Sequence, residues 1–395
     1  MSAPLFLSNP ASEGLRPSLT GVIDETARLD IESGRIACAD ILVARHGMVV
    51  YYKQHGVADR ETGRPLEPHM LFRLASMTKP VIAAAVLLQQ ERGLLSVDDP
   101  LYKYIPAFEH MSVSEYTPET GLTGTHPAAR PILLRDLLTH SSGLGSGAYY
   151  ESQSALYDPR RAGTLEKGVA EFAKTLLEYD PGSATSYSGF MAFDTLAHVV
   201  ELTSGMEIGD FLKKNLFDPL GMENTGFSMS DEQKKRAVRI HETVNGRAVP
   251  VDMAENLFSG SFDTYHSGGG GLFGCASDYF RFAQMLLQSG EYEGARILRP
   301  ETVRAMAAEQ VSHTLPGLRD DGWSWGFGVR TILRDNGSQR PLPTGAFGWS
   351  GALGTHFWVD PRNELAVVYM SNMTTAGGSG AETAREIERD VYAAL

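Results

Sequence analysis

Hydrophobic and polar positions change rhythm several times along the chain. Residues 18–34 repeat apolar positions at helical spacing and predict an amphipathic helix closed by Gly34. Residues 41–45 and 48–54 alternate instead, around the turn His46-Gly47, and predict a β-hairpin. An unbroken apolar run comes next, Val81-Ile82-Ala83-Ala84-Ala85-Val86-Leu87-Leu88. It predicts a helix buried on most sides and ending near Gly93. From there to about Gly270 the pattern is helix-rich, with helices over 132–139, 165–178, 190–204 and 208–216 separated by polar and Gly/Pro loops. After the glycine run 268–271, Ser277 is expected to cap a helix through Gln288 that Gly290 ends. A short helix should begin near Pro300. Strand patterns return at 325–333, 355–359 and 364–370, the last two joined by Asp360-Pro361-Arg362-Asn363. A helix over 380–394 closes the chain.

A helix and hairpin at one end, with strands and a helix at the other, predict that both termini build one α/β unit. The expected division is a discontinuous α/β domain from 1–94 and 271–395, with a mainly helical domain, 95–270, inserted into it. No internal repeat or low-complexity segment interrupts this plan.

Composition narrows the functional classes. The 395 residues are 42% hydrophobic and 21% charged, which is globular and leaves ample core. A net charge of −13 without a basic cluster argues against nucleic acid as partner. The first ten residues lack the cationic segment and apolar core of a secretory signal, and no run approaches the ~18 apolar residues of a membrane span. A cytoplasmic location without membrane contact is therefore expected. Cys38 and Cys275 are the only cysteines, so neither a disulfide framework nor a Cys-based metal site is expected. The histidines lack metal spacing.

The most informative residues are Ser76-Met77-Thr78-Lys79. Ser and Lys three positions apart share one face of a helix. A serine hydroxyl is a weak nucleophile and needs a base beside it. A lysine serves as base once it is deprotonated, which burial or a nearby cation favours. Because the apolar run begins at once after them, Ser76 and Lys79 should open a core helix, where free N–H groups and the macrodipole favour developing negative charge. Pro80 has no N–H and is tolerated only in the first turn, so regular helix bonding must begin close to it.

Two further segments complete a set: Tyr187-Ser188-Gly189, after the turn Asp180-Pro181-Gly182-Ser183, and Trp349-Ser350-Gly351-Ala352, before a strand. In order and spacing the three resemble the Ser-x-x-Lys, Tyr-x-Asn and Lys-Thr-Gly motifs of the serine β-lactamase and penicillin-binding protein superfamily. The phrases Leu71-Phe72-Arg73-Leu74-Ala75, Leu137-Leu138-Thr139-His140-Ser141-Ser142-Gly143-Leu144 and Trp325-Gly326-Phe327-Gly328 support the match. It covers roughly residues 18–394 and is nearest to the class C branch that includes the family VIII carboxylesterases.

That resemblance implies an antiparallel sheet flanked by helices beside a helical domain, with the site in the cleft between them. It implies an acyl-enzyme on Ser76, proton transfer by Lys79 and Tyr187, and substrate contacts along Trp349, Ser350, Gly351 and Ala352. The backbone N–H groups of Ser76 and Ala352 would form the oxyanion hole, and neither metal nor cofactor is implied. Two departures favour an esterase over a lactamase. Trp349 stands where lactamases carry a cation, and Gly189 stands where they carry Asn. The expected substrate is a small neutral ester. Rival readings are an acyltransferase to a specific alcohol, a weak β-lactamase or D-amino-acid peptidase, and a catalytically silent scaffold.

Other features compete for attention. Gly322-Trp323-Ser324-Trp325-Gly326 fits the Gly-x-Ser-x-Gly pattern of α/β-hydrolases, with Asp335 and His356 as nominal partners, but the residues after Ser324 are strand-like. The alternative is an aromatic strand in a pocket wall. The four glycines at 268–271 suggest close packing of backbone against sheet rather than a phosphate cradle. His140 and His356 are expected to be structural, His356 being the better site candidate.

Overall fold

A computed structural model describes residues 5–153, 163–251, 264–318, 322–335, 340–378 and 381–395. The N-terminal amphipathic pattern forms α1 (Leu19–Glu32), which buries Leu19, Ile23 and Ala27, and Gly34 comes just after it with φ +72°. The hairpin pattern forms β1 (Cys38–Arg45) and β2 (Met48–Asp59), which pair antiparallel from Arg45↔Met48. His46 and Gly47 turn the chain with φ +52° and +79°, the left-handed pair that a two-residue hairpin requires. Strand β2 runs on past Gln54 and meets a short β3 (Arg64–Pro65).

Five more strands come from the other end of the chain. They are β4 (Trp323–Trp325), β5 (Arg330–Ile332), β6 (Phe347–Ser350), β7 (His356–Asp360) and β8 (Leu365–Met370). The eight form one sheet in the order β4-β5-β6-β7-β8-β1-β2-β3, and each neighbouring pair in it is antiparallel. The β1–β8 pairing joins the two ends of the sequence, as their shared strand patterns imply. The expected single strand over 325–333 is instead two, because Gly328 (φ +70°) folds the chain back between Trp325 and Arg330. The segment Phe347–Ser350 is itself a strand.

One face of the sheet carries α1 and the C-terminal α5 (Glu382–Ala393), around Ile41, Val43, Trp358, Val367 and Tyr369. The other face carries α4 (Ala276–Leu287), around Leu42, Phe357 and Val368, and the same core takes in α2 (Thr78–Glu91) with α3 (Met191–Ser204) packed against it. Helix α2 is buried from Thr78 to Gln89, as its apolar run requires. Each Val, Ile or Leu so buried contributes roughly 1.5–3 kcal/mol. Ser277 does not cap α4. Cys275 holds that position, and the Ser277 hydroxyl bonds His69 and Cys275 from inside the first turn.

The middle segment is helical where expected at Leu134–Leu138, Leu165–Phe172, α3 and Ile208–Leu212. The Leu165 helix stops short of 178 because Leu177 exchanges backbone bonds with Ser112 and Ser114. Two hairpins interrupt the helical pattern, Ser112–Thr117 with Gly121–Pro127 and His241–Val244 with Arg247–Pro250. Among the described residues, no helix is long and apolar enough to cross a membrane.

Candidate active site

The chain approaches the site under strain. Ala75 has φ +47°, a conformation that costs a non-glycine residue about 1 kcal/mol or more, and it opens a 3₁₀ turn, Ala75–Met77, ahead of α2. The surroundings hold this turn. Tyr279 donates from Oη to the Met77 carbonyl (2.8 Å), the Leu272 N–H donates to Thr78 Oγ1 (3.1 Å), and Thr355 Oγ1 donates to the Leu74 carbonyl (3.0 Å). Ser76 is thereby presented at the edge of a cavity of about 590 Å3. Gly351 lets the end of β6 press on the same turn, since a Cβ there would lie 2.3 Å from the Leu74 carbonyl. Among the described residues, the N–H groups of Ser76 and Ala352 take no acceptor, and both residues line the cavity.

Lys79 is wholly buried one turn on. Its Nζ reaches the Gly189 carbonyl at 2.6 Å, the Gly269 carbonyl at 2.7 Å and Ser76 Oγ at 3.3 Å. The rings of Tyr187 and Phe193 lie 4.9 and 5.6 Å from it. The glycine run makes this cradle. A Cβ on Gly268 would lie 2.3 Å from the Phe193 carbonyl, and one on Gly269 would lie 2.7 Å from Phe190 Cα. The close packing is therefore against the start of α3, where the sequence suggested the sheet. Gly189 is different: a Cβ there meets nothing within 4 Å, so room for a side chain stands open at this position.

Tyr187 is 39% exposed and faces the same cavity. Its ring lies 5.5 Å from Trp349 and 6.2 Å from Trp325, which in turn lie 4.8 Å apart, with Trp323 5.2 Å beyond. Four aromatic rings thus form one wall. Thr374, Gly377, Gly378 and Ala352 also line the cavity. His140 sits behind the aromatic wall, 4.6 Å from Tyr187 and 4.5 Å from Trp325. Burial first, and then the Lys79 charge, push its imidazole well below the ordinary histidine range. A neutral ring suits its task, because Nδ1 accepts the Ser188 N–H at 3.1 Å and so fixes the backbone beside Tyr187.

The predicted residues Ser76, Tyr187, Trp349, Ser350 and Ala352 meet at this one cavity, with Lys79 and Gly351 directly behind it. Ser350 lines it while its Oγ is committed elsewhere, 2.7 Å from His356 Nδ1. His356 Nε2 then bonds Glu388 (2.9 Å), which also pairs with Arg340. Neither Ser324 nor Asp335 belongs to a triad with His356. Ser324 lies fully buried in β4 and donates to the Val311 carbonyl at 2.7 Å, and Asp335 binds Thr344. The Gly-x-Ser-x-Gly match is the aromatic strand of a pocket wall. The two carbonyls that hold Lys79 escaped sequence reasoning, as did Asp194 beneath them. Among the described residues, no group of His, Cys, Asp and Glu has the arrangement of a metal site.

Comparison with known proteins agrees with this architecture. The Beta-lactamase family model matches residues 23–391, and the chain belongs to that family. Esterase EstB of Burkholderia gladioli is 31% identical over 393 residues, covering 93% of each chain. Among solved structures, EstCE1, described as a hydrolase with promiscuous acyltransferase activity, superposes with a TM-score of 0.77 at 26% identity, over 97% of this chain and 100% of its own. A family VIII carboxylesterase superposes with a TM-score of 0.75 over 97% of this chain and 99% of its own, and at 18% identity it shows the fold alone.

Proposed function

We propose that this chain, a serine hydrolase of the beta-lactamase family, is a carboxylesterase that cleaves short-chain neutral esters through an acyl-enzyme on Ser76. The observation that carries the reading is the geometry at Lys79 Nζ. A tetrahedral nitrogen bonded to Cε and held by the carbonyls of Gly189 and Gly269 has one direction left, and Ser76 Oγ occupies it. In the neutral amine both N–H bonds are spoken for, so the lone pair faces the serine proton. Ser76 then attacks the ester carbonyl as Lys79 takes its proton. The Ser76 and Ala352 N–H groups receive the oxyanion, a contribution typically worth about 10²–10³ in rate for each donor. Tyr187 passes a proton to the departing alkoxide, and water removes the acyl group.

The aromatic wall supports a neutral substrate. Tyr187, Trp323, Trp325 and Trp349 offer apolar surface and no charge for a carboxylate. The same wall supports a second reading, transfer of the acyl group to an alcohol, because an apolar acceptor competes with water there. We take the cleft to lie between the discontinuous unit 1–94 with 271–395 and the inserted unit 95–270. A fluorophosphonate probe should label the native protein on Ser76. Ser76→Ala should abolish both labelling and nitrophenyl-ester hydrolysis, a fall on the order of 10⁴ or more. Ser324→Ala should keep most activity. Retention by Ser76→Ala, or faster turnover of a cephalosporin than of the acetate or butyrate ester by the native protein, would overturn the proposal.

A further inference from the structure

Beneath the Lys79 cradle lies a carboxylate to which the chemistry above gives no role. Asp194, on α3, is fully buried. Its Oδ1 accepts from Ser267 Oγ at 2.7 Å and from the Gly269 N–H at 2.8 Å, and its Oδ2 accepts from Tyr265 Oη at 2.8 Å. Gly269 is thus gripped at both ends, its N–H by Asp194 and its carbonyl by Lys79 Nζ at 2.7 Å.

We infer that Asp194 is a positioning residue for catalysis: it sets the Gly269 carbonyl that aims Lys79 at Ser76, and it places a buried negative charge on the far side of that peptide from the lysine. The inference rests on the reading of Ser76 and Lys79 as nucleophile and base.

Three physical points support it. A buried ammonium held only by carbonyl dipoles carries a large desolvation cost, which a nearby anion offsets. Burial raises the Asp194 carboxyl above its ordinary value, and the bonds from Ser267, Gly269 and Tyr265 together with the Lys79 charge limit that rise; both of its oxygens accept hydrogen bonds, as those of a carboxylate do. Tyr265 is itself pushed up, by burial and by Asp194, and so keeps the proton it donates. A structural acceptor would need only the Ser267 and Tyr265 hydroxyls. The third bond, to the one glycine whose N–H and carbonyl link the carboxylate to the base, ties Asp194 to the site.

The titratable neighbours are few. Lys79 and Tyr265 face Asp194, with Glu201 and Tyr150 acting on Tyr265 from behind. Lys79 is faced by Asp194, His140 and Tyr187. His140 is held toward its neutral form by burial and by the Lys79 charge.

The test is Asp194→Asn, read by the pH dependence of kcat/KM for a nitrophenyl ester. With the carboxylate gone, the lysine gives up its proton more readily. The ascending limb should therefore move to lower pH by about 1–3 units, and the plateau should fall roughly 10- to 100-fold through misaligned Gly269. Ser267→Ala, which keeps the charge, should lower the plateau less and leave the limb in place.

A cycle on thermal stability covers the case in which Asp194→Asn alone does not accumulate. Lys79→Met removes the cation, so Asp194→Asn should leave Tm unchanged or raise it in that background, while lowering it in the native one. An unmoved limb, or an equal loss of Tm in both backgrounds, would overturn the inference. Its failure is separable from failure of the reading beneath it, since Ser76→Ala and fluorophosphonate labelling test that reading without reference to Asp194.

Discussion

The strand pair β6–β7 has two faces, and they treat buried charge in opposite ways. Toward α2, Trp349 joins the aromatic wall, and Lys79 nearby is held by two backbone carbonyls and a serine. Toward α5, Ser350, His356, Glu388 and Arg340 form a continuous chain of side-chain bonds ending in an ion pair. Glu388 shows what full pairing does. Burial pushes its carboxyl up, yet the His356 hydrogen bond and the charges of Arg340, His356 and Arg330 pull it down to about 2. Such a group stays ionised at any working pH and locks the strands in place. Among the described residues, no carboxylate is bonded to Lys79 directly. Its bonded partners are neutral, and the carboxylate of Asp194 stands off behind the Gly269 peptide. On the proposed mechanism, a buried charge that holds structure is bonded to its counter-charge, whereas one that exchanges a proton is cradled by carbonyls with its counter-charge one peptide away.

The comparison breaks first at Lys79. Lys79→Met keeps the length and apolar stem of the side chain and removes the nitrogen. On the proposed mechanism, kcat/KM for a nitrophenyl ester should fall by about 10³–10⁴. Burial already pushes the Asp194 carboxyl up, so it can take up a proton when its cation goes, which limits the accompanying loss of stability. Steady-state kinetics with thermal unfolding on the same sample will show whether activity and stability separate as expected. Loss of less than tenfold would remove Lys79 from the chemistry.

Glu388→Gln should show the reverse. It leaves Arg340 buried beside a neutral amide, and breaking a buried pair of this kind costs about 3 kcal/mol. Tm should drop by roughly 5 °C, while kcat/KM of the folded protein stays within about threefold. The pH dependence fixes the sign. The Glu388 carboxyl lies lower in the folded chain than its ordinary value of about 4.3, so its contribution is complete above that value. It is lost as pH falls from about 4 toward 2, an amount of roughly 3 kcal/mol. Burial likewise pushes His356 down, which adds loss in the same direction below about pH 6.5. Asp40 is raised to about 7 by burial and acts oppositely, gaining stability as pH falls from there. The difference between native protein and variant isolates the Glu388 part. A difference independent of pH from 7 to 3 would show that the pair does not hold the fold.

Much of the polar side of this comparison is illegible in the sequence, and for identifiable reasons. Ser76, Lys79, Tyr187 and Trp349 can be found because the chemistry proposed for them resides in side chains at fixed spacing. The Lys79 cradle cannot, because Gly189 and Gly269 act through carbonyls that every residue possesses. Asp194 lies inside a helical pattern, where an acidic residue reads as a solvated face. Glu388 reads the same way in α5, and only the strand order that brings β7 under that helix reveals its partners. The hairpin ending at Pro250 does carry a signal, since Asn245-Gly246 is a favoured two-residue turn. The split between β4 and β5 is hidden because aromatic and apolar residues run straight through Gly326 and Gly328, and periodicity carries no mark of a reversal. Long single-rhythm segments such as α1, α2 and β8 are legible almost to the residue.

The smallest expected effect sharpens the apolar face. Trp349 is only 6% exposed, packs against both Tyr187 and Trp325, and lines the cavity with Ser76. Trp349→Ala removes one of the four rings without touching the Lys79 cradle or the Ser350–His356–Glu388 chain on the opposite face. Two consequences compete. Lost apolar contact weakens binding of every ester, whereas the space released admits longer acyl groups. An indole contributes more contact to a long chain than to acetate, so binding alone would penalise octanoate most. Relief of crowding acts only on long chains and in the other direction. On the proposal that the ring limits acyl length, crowding dominates. The ratio of kcat/KM for octanoate to that for acetate should then rise about tenfold, equivalent to ~1.4 kcal/mol, while KM for acetate also increases. Cephalosporin turnover should stay negligible, because removing an indole creates no cation for a carboxylate. Gly189→Asn, for which the site has open room, is the companion variant, and it should leave the octanoate-to-acetate ratio unchanged because it lies on the lysine side. Kinetics on acetate, butyrate and octanoate nitrophenyl esters would decide the matter. A falling ratio in Trp349→Ala would mean that the ring binds the acyl chain instead of limiting it, and the preferred substrate would then be the longer ester.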